Sequence, residues 1–418
     1  MPSAAATPGT LLNAIQRFLT LAREPVAIEA GQPPFPLIPG TYDIQQHQGR
    51  LTFEVWDDQR HLSRTVTAIR TAGPARLELE VRRFPNKTGT ILLFDQARAA
   101  NHSLKRRAER HVFREQFRTM LARNFPGWKL AELSSEPDLQ HSLSPAHCRA
   151  LLKRGRTGWA ALASPDDPHG ASAALSFGLI WLDYLRRRER KLTLQGLVLF
   201  LPAGRELPTC LRLRCLHPRA AQFSVFLYGQ DNWEQQVDPS RHGNLETVLP
   251  PASSDQAERR LAMPGPEAEL ERRIRANLTA VDGLLLPRPV YGQVPAVAGI
   301  DRGIIDLLGA SCDGRLAVLE LKATADLHLP LQALDYWMRV RWHAEHGEFA
   351  AAGYFPGLAV QPAPPRLLLV APALEFHPTS ETILRYFSPE IEVERVGLAV
   401  EWQREIRVVF RLRGAQSP

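Results

Sequence analysis

Apolar positions follow two different periods along the first hundred residues. Helical spacing places Leu11, Ile15 and Phe18 on one face with their neighbours Leu12 and Leu19, which predicts a helix over residues 1–20. After the proline-rich segment GQPPFPLIPG, apolar and polar residues alternate in the short runs RLTFEVW, TVTAIR, ARLELEVRRF and TILLF, which turn residues separate. The pattern predicts a helix and a small antiparallel sheet or barrel, together forming a domain over residues 1–96.

Residues 97–230 mix helical and strand-like patterns. HVFREQFRTMLARNF has helical spacing and ends before Pro126, and further helices are predicted around Ser144–Arg154 and Ala171–Arg190. The predicted strands are WKLAELS, GWAALAS, LQGLVLFLP, CLRLRCL and FSVFLYG. This alternation predicts a middle α/β unit. Residues 231–263, rich in Pro, Ser, Asp and Gln, are predicted to form a linker.

The last part of the chain, residues 264–418, has the clearest pattern. A helix over PEAELERRIRANLTA precedes the strands VYGQVPAV, GIIDLLGAS and RLAVLELKA, a helix over LPLQALDYWMRVRWHAEH and a strand over PRLLLVAP. A helix over TSETILRYF and the terminal strands IEVERVGLAVEW and IRVVFRL complete the order. This order predicts a mixed sheet flanked by helices, so the whole chain is expected to be of the α/β (mixed α+β) class. No repeat of fixed period is visible in the sequence.

Composition and charge narrow the classes of function. The chain has 418 residues, a net charge of +7 and no apolar run of the length, ~18–20 residues, that spans a bilayer. Its first residues lack the pattern of a secretory signal, so a cytoplasmic protein without membrane contact is expected. Two basic clusters could contact a phosphate backbone, although solvated helix ends explain them equally well. The clusters consist of Lys105, Arg106, Arg107 and Arg110, and of Arg186, Arg187, Arg188, Arg190 and Lys191.

Three charged residues interrupt two otherwise apolar strands at residues 303–324. Cys312-Asp313-Gly314 suits a three-residue hairpin loop with Gly314 in the left-handed conformation. That loop places Asp306 opposite Glu320, and the two-residue alternation of a strand puts Lys322 on the same face. A two-residue Asp-Gly loop would instead place the two acids on opposite faces.

Two facing carboxylates repel each other unless a cation lies between them. Hard divalent ions such as Mg²⁺ bind carboxylate and carbonyl oxygens, which predicts a site for Mg²⁺ or Mn²⁺ made by Asp306, Glu320 and the carbonyl of Leu321. Such an ion lowers the pKa of a bound water and stabilises charge on a phosphodiester. Lys322 can orient that water or help to deprotonate it, since a desolvated lysine shifts its pKa readily.

These residues resemble the PD-(D/E)XK nuclease superfamily, especially its RecB-like and NucS-like branches. Asp306 and the Glu320-Leu321-Lys322 tripeptide match the central motif, with Ile305 in place of proline, and Gln332 and Tyr336 match the Gln-x-x-x-Tyr motif of the following helix. The family's acidic residue on the first helix is best matched by Glu267, and Glu269 and Glu271 remain alternatives. The resemblance covers roughly the last 150 residues and implies a restriction-endonuclease-like fold. The catalytic residues that it implies are Asp306, Glu320, Lys322, Gln332, Tyr336 and Glu267.

The expected function is metal-dependent hydrolysis of nucleic acid, with DNA favoured over RNA, in repair or in defence against foreign DNA. The alternative is an inert nucleic-acid-binding or scaffold protein on the same fold, in which Glu320 and Lys322 form a structural ion pair. The middle unit is either a degenerate nuclease-like unit without the acidic triad or a module for a protein partner or a second copy of the chain.

Overall fold

The computed structural model describes residues 7–29, 35–47, 49–56, 61–73, 76–83, 87–138, 140–144, 146–229, 233–245, 247–252, 265–298 and 301–414. Within some elements only the backbone is described, as it is for residues 98–109. The chain is of mixed helix and strand class and divides into two compact units, Met1–Val112 and Phe113–Pro418. Over the described ranges, no helix has the length and apolar character that crossing a membrane requires.

The first unit is a seven-stranded sheet that packs one amphipathic helix. The sheet has the order β2-β1-β7-β6-β5-β4-β3, and every neighbouring pair is antiparallel. Helix α1 (Pro8–Leu21) buries Leu11, Ile15 and Phe18 in the core of this sheet, as the helical spacing predicts. The predicted antiparallel sheet is confirmed. It is larger than predicted, because three further strands, β1, β2 and β3, precede the predicted ones. The strands are β1 (Pro25–Glu29), β2 (Phe35–Pro36), β3 (Tyr42–His47), β4 (Arg50–Trp56), β5 (His61–Gly73), β6 (Arg76–Arg83) and β7 (Lys87–Asp95).

The second unit begins within the long helix α2 (Gln96–Asn124). The predicted boundary at residue 96 coincides with the start of this helix, and the division between the two units lies further along it. The side chains of Lys105, Arg106 and Arg107 lie outside the described residues.

A six-stranded mixed sheet, the middle sheet, follows α2. Its order is β8-β9-β10-β11-β12-β13, with β10, β11 and β12 parallel and the outer pairs antiparallel. The elements are β8 (Lys129–Ser134), β9 (Cys148–Arg154), β10 (Thr157–Ala163), α3 (Pro168–Arg188), β11 (Thr193–Pro202), α4 (Leu207–Arg214), β12 (Gln222–Tyr228) and β13 (Glu234–Val237).

Two predicted elements in this region are wrong. The helix predicted around Ser144–Arg154 is the strand β9, and the strand predicted over CLRLRCL is mostly the helix α4. Both segments are buried at most positions, and a short apolar run does not distinguish a strand from a helix. Within the predicted linker, Glu234–Val237 form the strand β13, and residues 253–263 lie outside the described residues.

The last sheet, the C-terminal sheet, has the order β14-β15-β16-β17-β18-β19 and confirms the elements predicted there. Its central strands β16 and β17 are buried at every position, as expected for strands covered on both faces. The elements are α5 (Pro266–Ala276), α6 (Leu278–Val281), β14 (Tyr291–Ala298), β15 (Asp301–Ala310), β16 (Leu316–Leu321), α7 (Leu329–Glu345), α8 (Glu348–Ala351), β17 (Arg366–Pro372), α9 (Ser380–Leu384), β18 (Val393–Leu398) and β19 (Val408–Arg413).

The turn between β15 and β16 sets the register of this sheet. Gly314 has a φ of 86°, and its N–H donates to the carbonyl of Ser311 at 2.9 Å. Ser311 in turn donates its N–H to Arg315, and the ladder pairs Leu307 with Leu319. The predicted three-residue loop is confirmed, and the two-residue alternative is excluded.

We expect Gly314→Ala to lower thermal stability far more than Gly155→Ala. Both glycines have positive φ, which costs an alanine about 1–2 kcal/mol. A Cβ at Gly314 would lie 2.0 Å from the carbonyl oxygen of Ala359, whereas nothing lies within 4 Å of one at Gly155. Thermal unfolding of both variants measures the difference, and equal losses would contradict the tight approach.

Candidate active site

The hairpin brings the two predicted carboxylates together. One step beyond the Leu307–Leu319 pair, the register places Asp306 on β15 opposite Glu320 on β16. The side chain of Asp306 reaches across the hairpin, where its Oδ2 accepts a hydrogen bond from the N–H of Leu321 at 2.9 Å. The position of Asp306 therefore depends on the backbone of the opposite strand.

Glu320 lies inside the protein and Lys322 lies at the edge of the same patch. Val318 packs in the core that contains Leu334 of α7, and alternation along β16 directs Glu320 and Lys322 to the same side. Glu320 is 1% exposed and Lys322 is 14% exposed, and the Lys322 Nζ is 3.7 Å from Glu320 Oε1. The three groups share one face of the sheet.

Burial makes both carboxyl groups poor acids. Desolvation raises the pKa of Asp306 to about 6, although the Leu321 N–H and the Lys322 ammonium oppose the rise. Desolvation also raises the pKa of Glu320 well above its usual value, and the nearby Asp306 carboxylate raises it further. Ionising both groups is therefore unfavourable unless a positive charge is added.

The pKa of Lys322 moves in the opposite direction from the one that desolvation alone produces. Burial lowers this pKa, but the carboxylates of Glu320, Glu267, Asp306 and Asp326 together raise it by more. Lys322 therefore carries its proton at neutral pH in this arrangement, and it can donate hydrogen bonds but not accept a proton.

Of the three acidic candidates on α5, Glu267 acts on the site. Its charge raises the pKa values of Asp306, Glu320 and Lys322, although its own side chain is exposed. Glu269 is held by ion pairs with Arg272 and Arg273, and Glu271 is buried on the core side of the helix.

Asp326 is a further acidic neighbour that the sequence patterns did not single out. Its Oδ2 lies 3.9 Å from the Lys322 Nζ, and its charge raises the pKa of Glu320. The only signal in the sequence is a carboxylate four residues after the lysine, in a loop whose path no periodicity predicts.

Gln332 and Tyr336 lie one turn apart on α7 and contact each other. The Gln332 Nε2 donates to the Tyr336 hydroxyl at 3.2 Å, and Tyr336 is buried in the core between α7 and the sheet. Helix α7 packs on β15, β16 and β17, and the four-residue spacing places Gln332 and Tyr336 on one of its faces.

The donor atoms fit a hard divalent cation. Among the residues the structure describes, no three His, Cys, Asp or Glu side chains form a group that could hold a metal ion. The donors that the sequence predicts are the carboxylates of Asp306 and Glu320 and the carbonyl of Leu321. The buried Oε2 of Glu320 has no hydrogen-bond partner within that part of the chain. A buried, unpaired carboxylate oxygen beside a second carboxylate is chemically suited to Mg²⁺ or Mn²⁺.

The arginine cluster on α3 is largely engaged inside the protein. Arg186 donates to the Tyr386 hydroxyl at 3.3 Å and to the Ala220 carbonyl at 2.7 Å, and Arg188 pairs with Glu132. Arg187 is 67% exposed and pairs with Asp183 at 2.7 Å. Within this cluster, Arg187 is the side chain most accessible to an external phosphate.

Comparison with known proteins does not identify a family, since no family model, no curated protein and no solved structure matches the chain.

We expect Asp306→Asn to stabilise the protein at pH 8 in the presence of EDTA. The pKa of Asp306 is raised in the folded protein, so the protonated side chain stabilises the fold at pH values below its ordinary pKa of 3.8. This contribution is lost as the pH rises through about 6. Asparagine keeps the oxygen that accepts from Leu321 and removes the ionised form, a gain of roughly 1–3 kcal/mol. Denaturant unfolding at pH 8 and pH 5 measures it, and the gain should shrink at pH 5.

Asp313→Asn is the matched control for this prediction. Its carboxylate is exposed, and the Arg315 N–H lowers its pKa, so its replacement should give no gain at pH 8. Mn²⁺ should stabilise the wild type more at pH 8 than at pH 5, because protons and the cation compete for Asp306. Equal stability of the wild type and Asp306→Asn at pH 8 would contradict the prediction, because it would show that ionised Asp306 does not destabilise the fold.

Proposed function

We propose that the chain is a metal-dependent nuclease of the PD-(D/E)XK type that hydrolyses phosphodiester bonds of nucleic acid. The observation that carries the proposal is the pair of facing carboxylates, Asp306 and Glu320, with Lys322 beside them on a buried strand pair. DNA is favoured over RNA, and roles in repair or in defence against foreign DNA follow from the resemblance alone.

The charge balance of the site supports a bound cation. The charges acting on Glu320 are three carboxylates, from Asp306, Glu267 and Asp326, and one ammonium from Lys322. One lysine cannot neutralise four acids, and an uncompensated buried charge costs several kcal/mol. A divalent ion would offset two of the three negative charges that Lys322 leaves when all four acids are ionised, whereas a purely structural ion pair between Glu320 and Lys322 would offset none of them.

The chain's own residues have distinct roles in this proposal. Asp306, fixed by the Leu321 N–H, and Glu320 hold the cation, which when bound would activate a water and stabilise charge on the phosphate. Lys322 donates hydrogen bonds that orient the water or the phosphate oxygens. The hydrogen-bonded Gln332 and Tyr336 support the same side of the sheet from α7.

The exposure of the acidic side chains supports one direction for a substrate to enter. Glu267 is exposed and the side chain of Asp326 is one-third exposed, while Glu320 is almost completely buried. The patch therefore opens to solvent beside the first turn of α5 and the loop after β16. A phosphodiester approaches from this side, and the net charge of +7 on the whole chain assists the approach.

Lys322→Ala should abolish cleavage without unfolding the protein. Loss of a group that orients or protonates reacting atoms lowers the rate by at least about 100-fold. The measurement compares plasmid, single-stranded DNA and RNA incubated with Mg²⁺, Mn²⁺ or EDTA. Lys129→Ala, which removes an exposed lysine outside the candidate site and outside both basic clusters, should cleave like the wild type.

Two outcomes would contradict the proposal. Intact substrate under every condition would favour an inert nucleic-acid-binding or scaffold protein on the same fold. Cleavage that Lys322→Ala leaves unchanged would place the activity elsewhere in the chain or in a contaminant.

A further inference from the structure

The middle sheet and the C-terminal sheet have the same topology. Each begins with a helix and three antiparallel strands, continues through a helix, a parallel strand, a helix and a second parallel strand, and ends with an antiparallel strand. In the first copy the elements run from α2 and β8 to β13, and in the second from α5 and β14 to β19. Both copies lie in the second compact unit.

Matching hydrogen bonds align the two copies residue by residue. The N–H of Lys322 donates to the carbonyl of Val370 at 3.1 Å, and the N–H of Ser164 donates to that of Phe200 at 3.1 Å. Each donor directly follows its strand, so Ser164 is the counterpart of Lys322 and Leu162 is that of Glu320. Leu162 pairs with Arg149 across its hairpin, which makes Arg149 the counterpart of Asp306.

The hydrophobic cores of the two sheets contain residues at equivalent positions. The outer face of the middle sheet packs on Phe117 and Leu121 of α2, and the outer face of the C-terminal sheet packs on Leu270 and Ile274 of α5. The inner faces share one core that contains residues of α3, α4, α7 and α9. The aligned outer-face pairs are Ala150 and Leu307, Ala161 and Leu319, Ala163 and Leu321, Val198 and Leu368, Phe226 and Val396, and Tyr228 and Leu398.

A pseudo-two-fold axis relates the two copies. Phe200 and Val370 are 170 residues apart, and so are their partners on the next strands, Phe226 and Val396. The same offset matches Leu216 with Tyr386 and His217 with Phe387, in segments that pair with each other through an antiparallel bridge. A segment that pairs with its own counterpart in antiparallel direction is the signature of a two-fold interface.

Hydrogen bonds and helix packing repeat this relation. The N–H of His217 donates to the carbonyl of Tyr386 at 2.7 Å, and that of Ser388 donates to the carbonyl of Cys215 at 2.8 Å. Helix α3 packs on α9, and its counterpart α7 packs on α4, the counterpart of α9. The contacts between the two halves of this chain thus have the symmetric pattern of a two-fold interface.

The two strand positions equivalent to Asp306 and Glu320 carry no acidic side chain in the middle sheet. Arg149 replaces the first acid and donates to the carbonyls of Ser144 and Glu136, so its charge is held by the local backbone. Leu162 replaces the second acid and packs in the shared core, and the buried Ser164 replaces the lysine. No cation-binding carboxylate stands in either strand position.

We propose that the middle unit is a duplicate of the C-terminal unit that has lost its site, and that one chain therefore makes one cut per binding event without a second copy. This inference rests on the proposed nuclease function. The two strands of a duplex are antiparallel, so cutting both at once requires two active sites related by a two-fold axis. In this chain the two-fold position is filled by a unit without a site.

Each cut is a single hydrolysis. A water oxygen bonds to phosphorus, the bond between phosphorus and one sugar oxygen breaks, and that oxygen takes up a proton while the water gives one up. On a supercoiled plasmid one such event gives a nicked circle, and a linear molecule needs a second, independent event on the other strand.

The test is a time course on supercoiled plasmid with the full chain and Mg²⁺ or Mn²⁺. Nicked circles should accumulate to most of the DNA before linear molecules form, the rate should be first order in protein, and light scattering should show a monomer. Linear product without a nicked intermediate, or a rate that rises with the square of protein concentration, would overturn the inference while leaving the nuclease function intact. No product with any metal would overturn both.

Two further experiments distinguish a chain with one active site from a protein that uses two. An equimolar mixture of wild type and Lys322→Ala should cut at the rate of its wild-type component alone, whereas an obligate dimer with two sites would lose about half of that activity. Ser164→Ala should keep the full nicking rate and the same product. Loss of cutting in Ser164→Ala, with unchanged thermal stability, would mean that the middle unit carries a working site and would sink the proposal.

Discussion

The repulsion between two carboxyl groups across the β15–β16 hairpin is the constraint that organises this part of the molecule. Every position of β16 is buried, and the Oε2 of Glu320 has no hydrogen-bond partner among the described residues. The tight turn at Gly314 sets the register of the two strands. A slip of one residue would direct the two acids to opposite faces of the sheet. The fold thus holds an unfavourable arrangement of charge in place.

The middle unit contributes to this rigidity as well as to the shared core. The loop that follows Lys322 leads to His328, whose Nδ1 lies 3.2 Å from the Ser176 hydroxyl of α3, and whose ring packs edge-on against Phe177. Arg212 of α4 forms two hydrogen bonds with Asp335 of α7, the helix that also carries Gln332 and Tyr336. The elements around the candidate site are therefore supported from the other copy, and a C-terminal unit alone would lack this support.

The sequence predicted the hairpin and its register because turn chemistry and the two-residue period are local signals. Gly314 and the apolar strands around it sufficed to place Asp306 opposite Glu320. The identities of β9 and α4 were predicted wrongly, since burial on both faces removes the polar half of the pattern. The duplication left no repeat in the sequence because the two copies share hydrogen-bond register and burial but few residue types. Asp326 depends on the path of a loop, which long-range packing sets.

The comparison of the two copies shows what the candidate site costs. At equivalent positions, one copy places Leu162 in the shared core and the other places Glu320 there, with a strongly raised pKa. A leucine gains free energy from burial, whereas a buried carboxylate must be compensated. Conversion of the site to Arg149, Leu162 and Ser164 therefore relieves a destabilising cluster while the topology, the outer core and the two-fold contact stay intact. Stability alone would favour leucine at this position in both copies. The destabilising glutamate is kept in one copy only, which is expected if the function requires a single active site.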